Sequence, residues 1–162
     1  MSIQKTLEFL LPIFENLHIP FQITGGLAAH IYGSNRPIND IDIDVPEDRI
    51  ENLIPFFEKY IIFGPGHYRD AKWDLQLITL DYNGQEVDIG GAFQTKIFDD
   101  TNQFWVNYPA NFSTTEFKNY LGLNLPLINP QELISYKKLL TGAHQKEDII
   151  AITKYIKTHE SA

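Results

Sequence analysis

The chain contains no cysteine, which excludes disulfides, zinc–thiolate sites and cysteine nucleophiles. That absence agrees with a cytoplasmic location, which is the expected one. Positive charge is scarce: 13 Lys and Arg stand against 21 Asp and Glu, giving a formal net charge of −8. With no basic stripe to neutralise phosphates, long nucleic acid is disfavoured as a partner. Long apolar runs are also missing. None approaches the roughly 20 residues of a membrane-spanning helix, so no membrane association is expected. The segment from Ser2 to Thr6 carries one charge and then mixed polarity, unlike a secretory signal. There is no internal repeat, low-complexity tract or linker. At 162 residues this predicts one domain over 1–162, with a core of about 20–128 and C-terminal helices over about 130–160.

What is present reads as globular, since 43% of the residues are apolar and only 21% are charged. Eleven Phe, 8 Tyr and 2 Trp are enough to fill a core and to leave a stacking surface. Ser2 can cap a first helix carrying Ile3, Leu7, Leu10 and Phe14, with Pro12 predicting a kink or break. A short strand over 21–23 ends at Gly25-Gly26, and a short helix follows from Leu27 to Tyr32. Pro46-Glu47-Asp48 opens a helix running to about Tyr60. Asn83-Gly84 between the runs 75–82 and 85–89 is a hairpin signal. Leu121 to Ile128 is extended, a helix runs from Asn129-Pro130 to about Leu140, and a last one spans 146–159. The fold class is therefore α/β (α+β), a small mixed sheet backed by helices.

The strongest chemical signal lies in Asp40-Ile41-Asp42-Ile43-Asp44, whose period is two. On a strand, Ile41, Ile43 and Val45 face the core and the three aspartates share the other face. Carboxylates at ~5 Å and an effective dielectric near ~20 repel by about 3 kcal/mol per pair. Such a face recruits a cation, and hard oxygen donors suit Mg²⁺, Mn²⁺ or Ca²⁺. Gly25-Gly26, at the entry to a helix, offers free backbone N–H groups to an anion. On the hairpin, Asp88 points away from Val87 and Ile89.

Gly25-Gly26, thirteen intervening residues and then Asp40-Ile41-Asp42 resemble the signature of the DNA polymerase β-type nucleotidyltransferase superfamily. The context Arg36-Pro37-Ile38-Asn39-Asp40 is similar to the compact bacterial branch that includes lincosamide and aminoglycoside nucleotidyltransferases. Asp88 fits the third acid of that superfamily. Pro130 to Lys137, followed by Lys146-Glu147-Asp148-Ile149, resembles its trailing helical motif. The resemblance implies a metal-dependent transfer of a nucleoside monophosphate from a nucleoside triphosphate, ATP first, to a hydroxyl of a small molecule or protein. It implies two Mg²⁺ (or Mn²⁺) ions on Asp40, Asp42 and Asp88, with Asp88 also helping to deprotonate the acceptor. Gly25 and Gly26 would seat the β- and γ-phosphates, with Arg36 and Lys137 as further phosphate partners.

Asp42 and Asp44 are an alternative ligand pair; the spacing from Gly26 in the superfamily favours Asp40 and Asp42. The Arg that often precedes the Lys-Asp pair of the tail is missing from Thr141 to Gln145. The acceptor-binding extension of larger members is missing too, which leaves the acceptor to a second copy of the chain or a partner protein. A relative that binds or regulates without turnover, of toxin–antitoxin or defence type, is the alternative function. A phosphohydrolase is disfavoured because no nucleophile loop follows the acids. His30 is expected to be a packed histidine. His67, Tyr68, Arg69 and Lys72 are expected in a surface loop after Gly64-Pro65-Gly66, or in a lid over the nucleotide. Trp105 and Tyr108 are expected in the core, or stacking on a ring.

Overall fold

The computed structural model describes residues 2–160. Its centre is a parallel pair of strands, β2 (Ile41–Val45) and β5 (Gln85–Gly91). Ile41, Ile43, Val45, Val87 and Ile89 are all buried on one face of this pair. Burying each such side chain contributes roughly 1.5–3 kcal/mol. A one-residue slip of β2 would turn its isoleucines to solvent and its acids into the core, so the register is held by packing. β1 (Gln22–Thr24) lies antiparallel beside β2, and β4 (Trp73–Tyr82) lies antiparallel beside β5. The hairpin turn falls at Asn83-Gly84 as expected, both residues having positive φ.

The mixed sheet has nine strands, more than the sequence suggested. β6 (Lys96–Asp99) and β7 (Phe104–Asn107) form a hairpin in the aromatic segment that shows no clear pattern. β8 (Glu116–Tyr120) and β9 (Leu123–Leu127) form another, with Leu121 and Gly122 at positive φ in the turn. His67, Tyr68 and Arg69, expected in a loop after Gly64-Pro65-Gly66, lie instead in strand β3 (Ile61–Arg69), which pairs with β4. Gly64-Pro65-Gly66 marks register shifts within this edge strand, a position where proline removes no needed ladder bond.

Helix α1 (Ile3–Asn16) is capped by the Ser2 hydroxyl, which accepts from Lys5 N–H at 3.1 Å. It runs over Pro12 as one helix, so of the kink or break expected there the break does not occur. Pro12 and Glu8, whose carbonyl loses its partner, both lie on the exposed side, where water can take the bond. The helix expected from Pro46 to Tyr60 is broken into 3₁₀ turns around the short α3 (Ile54–Phe57). Pro55 falls in the first turn of α3, a position where its missing N–H is not needed and a new helix can start. α2 (Gly25–Ile31), α4 (Pro130–Leu139) and α5 (Ala143–Glu160) pack together at one end of the sheet.

Asp148 of α5 ties that end together. Its fully buried carboxylate takes Arg36 through two nitrogens, at 2.9 and 2.5 Å, the Ser34 hydroxyl at 2.6 Å, and Lys137 Nζ at 3.0 Å. Burial alone would raise its pKa, but the bonds from Arg36, Ser34 and Lys137 hold it down at about 2. The Asp148 carboxylate therefore contributes stability above its unfolded value of about 3.9, and this is lost as pH falls toward 2. Asp148→Asn is expected to cost about 3–5 kcal/mol, because it strands two cations around a neutral amide. Urea unfolding at neutral pH measures this. The gap between wild type and variant should narrow as the pH is lowered below about 4.

Candidate active site

The register that buries Ile41 and Ile43 sets Asp42 directly beside Asp88 on the neighbouring parallel strand. Asp40 precedes β2 by one residue, and not within it as the alternating pattern implied, but it remains on the same face. Carboxylate oxygens of Asp40, Asp42 and Asp88 lie within 4.8 Å of one another, and all three side chains are half-buried. The Thr79 hydroxyl donates to Asp88 Oδ1 at 2.7 Å, fixing that group from the next strand. None of the three forms an ion pair among the described residues.

Crowding and burial show in the acid–base behaviour. Desolvation, followed by the charges of Asp40, Asp88 and Asp44, pushes the Asp42 carboxyl well above its ordinary value. Asp88 is raised chiefly by desolvation and by Asp40, with the Thr79 bond opposing. Three close, hard oxygen donors without a basic partner fit a divalent cation such as Mg²⁺ or Mn²⁺.

Gly25 adjoins this cluster because nothing larger would fit. Its φ is +63°, and an added Cβ would stand 2.2 Å from Asp42 Oδ2. Gly26 is less constrained; a Cβ there would meet Arg36 Nη2 at 3.8 Å. Beside the glycines, Lys137 is buried, not a surface helix lysine, and its Nζ also donates to Gln145 Oε1 at 3.1 Å. Desolvation lowers its pKa despite the Asp148 bond, and its charge is felt at Asp42. Arg36 and Lys137 are thus brought together beside the glycines and the acids, both tethered to Asp148.

Asp44, the third acid of the strand, stands apart from the cluster of three. Gln22 Nε2 donates to it at 3.0 Å, while Gln22 Oε1 accepts from the Thr115 hydroxyl at 2.8 Å. Desolvation raises Asp44 to about 6, with Glu47 and Glu132 adding to the rise against the Gln22 bond.

The acids lie in the wall of a cavity of about 610 Å³. Its other walls include Tyr68, Trp73, Tyr108, Glu132 and Tyr136. Tyr68 therefore reaches the site from strand β3, whereas His67 pairs with Asp74 at 2.6 Å and Lys72 with Asp100 at 2.9 Å. Arg69 lies over the Trp105 ring at 4.9 Å, and Trp105 packs on Phe98 outside the cavity. Tyr108 does face the cavity. His30 packs edge-on against Tyr120, as a packed histidine should. Sequence reasoning missed Thr79, Glu132 and Tyr136. Glu132 and Tyr136 share a helix face at i and i+4 within the tail motif, and that spacing is the signal available for them.

No protein-family model matches the sequence, and no curated protein is significantly similar to it. Solved structures are similar throughout. A presumed nucleotidyltransferase from Thermotoga maritima shares 20% identity at a TM-score of 0.65, covering 98% of this chain and 96% of that one. The lincosamide antibiotic adenylyltransferase LnuA, solved with lincomycin bound, shares 14% identity at a TM-score of 0.63, covering 95% and 98%. ANT(2″)-Ia in complex with adenylyl-2″-tobramycin shares 15% at 0.63, covering 98% and 92%. The chain has the nucleotidyltransferase fold over nearly its whole length.

Proposed function

We propose that the protein is a metal-dependent nucleotidyltransferase that moves a nucleoside monophosphate from a nucleoside triphosphate, ATP first, to a hydroxyl of a small molecule or protein. The observation that carries this reading is the cluster of Asp40, Asp42 and Asp88, oxygens within 4.8 Å, in the wall of a 610 Å³ cavity. The proteins of like fold that are solved with lincomycin or adenylyl-2″-tobramycin support small molecules as acceptors.

In this reading Asp40, Asp42 and Asp88 would hold two divalent ions, which would supply charge neutralisation at the triphosphate and a more acidic acceptor hydroxyl. The chain's own groups do the rest. Gly25 and Gly26 let the phosphates approach the backbone closely, since no side chain intervenes. Arg36 and Lys137 present positive charge on the glycine side, oriented by Asp148. Asp88, held by Thr79, accepts the proton of the acceptor hydroxyl. The hydroxyl oxygen bonds to the α-phosphorus, and the bond from that phosphorus to the bridging oxygen of the β-phosphate breaks. Pyrophosphate leaves with that electron pair, and the nucleotidyl ester remains on the acceptor.

Three outcomes follow. With ATP and Mg²⁺ at about a hundredfold over Kd, the melting temperature should rise by roughly 5–10 °C. ATP without metal should give little, and Asp42→Asn should abolish the rise; a triphosphate shift indifferent to metal and to Asp42 would sink the reading. Gly25→Ala should lose the same response, with about 1–2 kcal/mol of stability lost to the left-handed backbone alone. Asp88→Asn should slow pyrophosphate release in the presence of an acceptor by about a hundredfold or more. A protein that binds ATP and Mg²⁺ yet releases no pyrophosphate with any acceptor would be a binding module.

A further inference from the structure

Strand β8 ends the sheet. It pairs with β9 alone, in an unbroken register from Glu116↔Leu127 to Tyr120↔Leu123 across the two-residue turn Leu121-Gly122. A two-residue hairpin closes on a hydrogen-bonded pair, and bonded and unbonded pairs alternate from there. The main-chain groups of Tyr120, Lys118 and Glu116 therefore turn toward β9. Those of Phe117 and Asn119 turn outward, and Pro126, which has no N–H to offer, stands opposite Phe117 as this parity requires. Among the described residues no turn or loop bond takes up these outward groups.

Open edges are ordinarily blunted by proline, bulges or charge. β3 carries Gly64-Pro65-Gly66 at its register shifts, and β7, at the far end of the sheet, has no charged residue to select a partner. β8 has neither proline nor bulge. On the side of α1 its Phe117 is 65% exposed and borders a groove of about 530 Å³, lined also by Leu11, Pro12, Phe21 and Pro126. Glu116 and Lys118 share the opposite face. Lys118 lies over the Tyr155 ring of α5 at 4.5 Å, and its Nζ donates to the Tyr155 hydroxyl. Neither Glu116 nor Lys118 forms an ion pair among the described residues.

These charges select a partner. A lysine on an edge repels most incoming strands but admits one that sets an acid opposite it. This edge supplies that acid itself. Laid antiparallel on a second copy about a twofold axis at Phe117, β8 sets Glu116 opposite Lys118 of the other copy, and Lys118 opposite its Glu116. Both pairs fall at unbonded positions, where cross-strand side chains stand closest. The two Phe117 residues exchange their main-chain bonds and lie side by side. Moving the axis to Lys118 sets lysine against lysine, and moving it to Asn119 leaves both charges without an opposite one.

We infer that β8 is the interface of a symmetric dimer, in which a second copy of this chain adds its own β8 antiparallel through Phe117 and joins the two sheets into one. An isologous contact of this kind closes on itself and builds no fibre. The inference is independent of the transfer reading, since no residue of β8 lines the cavity.

Sedimentation equilibrium at about 100 µM should give twice the 18.7 kDa of one chain. Glu116→Lys and Lys118→Glu should each weaken association by about tenfold or more, because each sets like charges opposite one another. Mixed, the two variants should associate again as one copy of each, since only the mixed pair has opposite charges at both positions. The double swap Glu116→Lys/Lys118→Glu should associate as wild type does. In wild type the Phe117 amide should gain protection from hydrogen exchange as the concentration rises. A monomer at about 100 µM overturns the proposal and leaves the edge to a strand of another protein. So does a dimer that both single variants leave intact, that the mixture does not restore, or whose Phe117 amide stays unprotected. If Lys118→Glu does not fold, Glu116→Lys and the Phe117 amide decide.

Discussion

The parallel pairing of β2 with β5 is the constraint on which the rest of the structure depends. It places Asp42 opposite Asp88 and Ile43 opposite Ile89, so the same register fixes both the acid cluster and the core. Like charges at such distances repel by several kcal/mol, and the strands would gain by separating if nothing held them. Five buried aliphatic side chains on the reverse face hold them, each contributing roughly 1.5–3 kcal/mol. The hydrophobic face thus keeps the acids closer together than their own electrostatics favours. A cation bound there would relieve the strain without moving the strands.

A second constraint lies across the glycines. Arg36 comes from the loop before β2, Lys137 from α4, and Asp148 from α5, so one buried carboxylate gathers three elements. The hub also serves the site electrostatically. Two cations drawn to a fully buried anion sit in a defined place, where free lysine and arginine side chains would sample many rotamers. The Arg36 guanidinium thereby stands beside Gly26, and the charge of Lys137 is felt at Asp42.

The legibility of the chain follows the kind of signal each part carries. Strict alternation made the face of Asp42 and Asp44 readable, and Asn83-Gly84 fixed the hairpin that delivers Asp88. Both are local rules with strong sequence marks. Pro12 and Pro55 show their limit, since the same residue is tolerated in α1 and breaks the next helix. The difference lies in position: Pro12 falls inside α1, whereas Pro55 falls in the first turn of α3. Strand β3 is interrupted by Gly64-Pro65-Gly66, and β6, β7 and β8 are only four or five residues long, too short for a period to stand out. Asp148 stood inside a motif whose resemblance was noted, yet its role needs Arg36 more than a hundred residues earlier. Pairing over that distance leaves no local mark.

Asp44 joins these threads. As a sequence feature it is a surplus acid, an alternative ligand beside Asp42 that the spacing from Gly26 disfavours. The structure separates it through Gln22, whose amide donates to Asp44, while Asp42 clusters with Asp40 and Asp88. Alternate residues of one strand therefore line one cavity with different partners. The separation has an electrostatic consequence. Asp44 keeps a neutral amide partner and still adds its charge to that of Asp40 and Asp88 at Asp42, so the strand that builds the cluster also raises the Asp42 carboxyl from outside it.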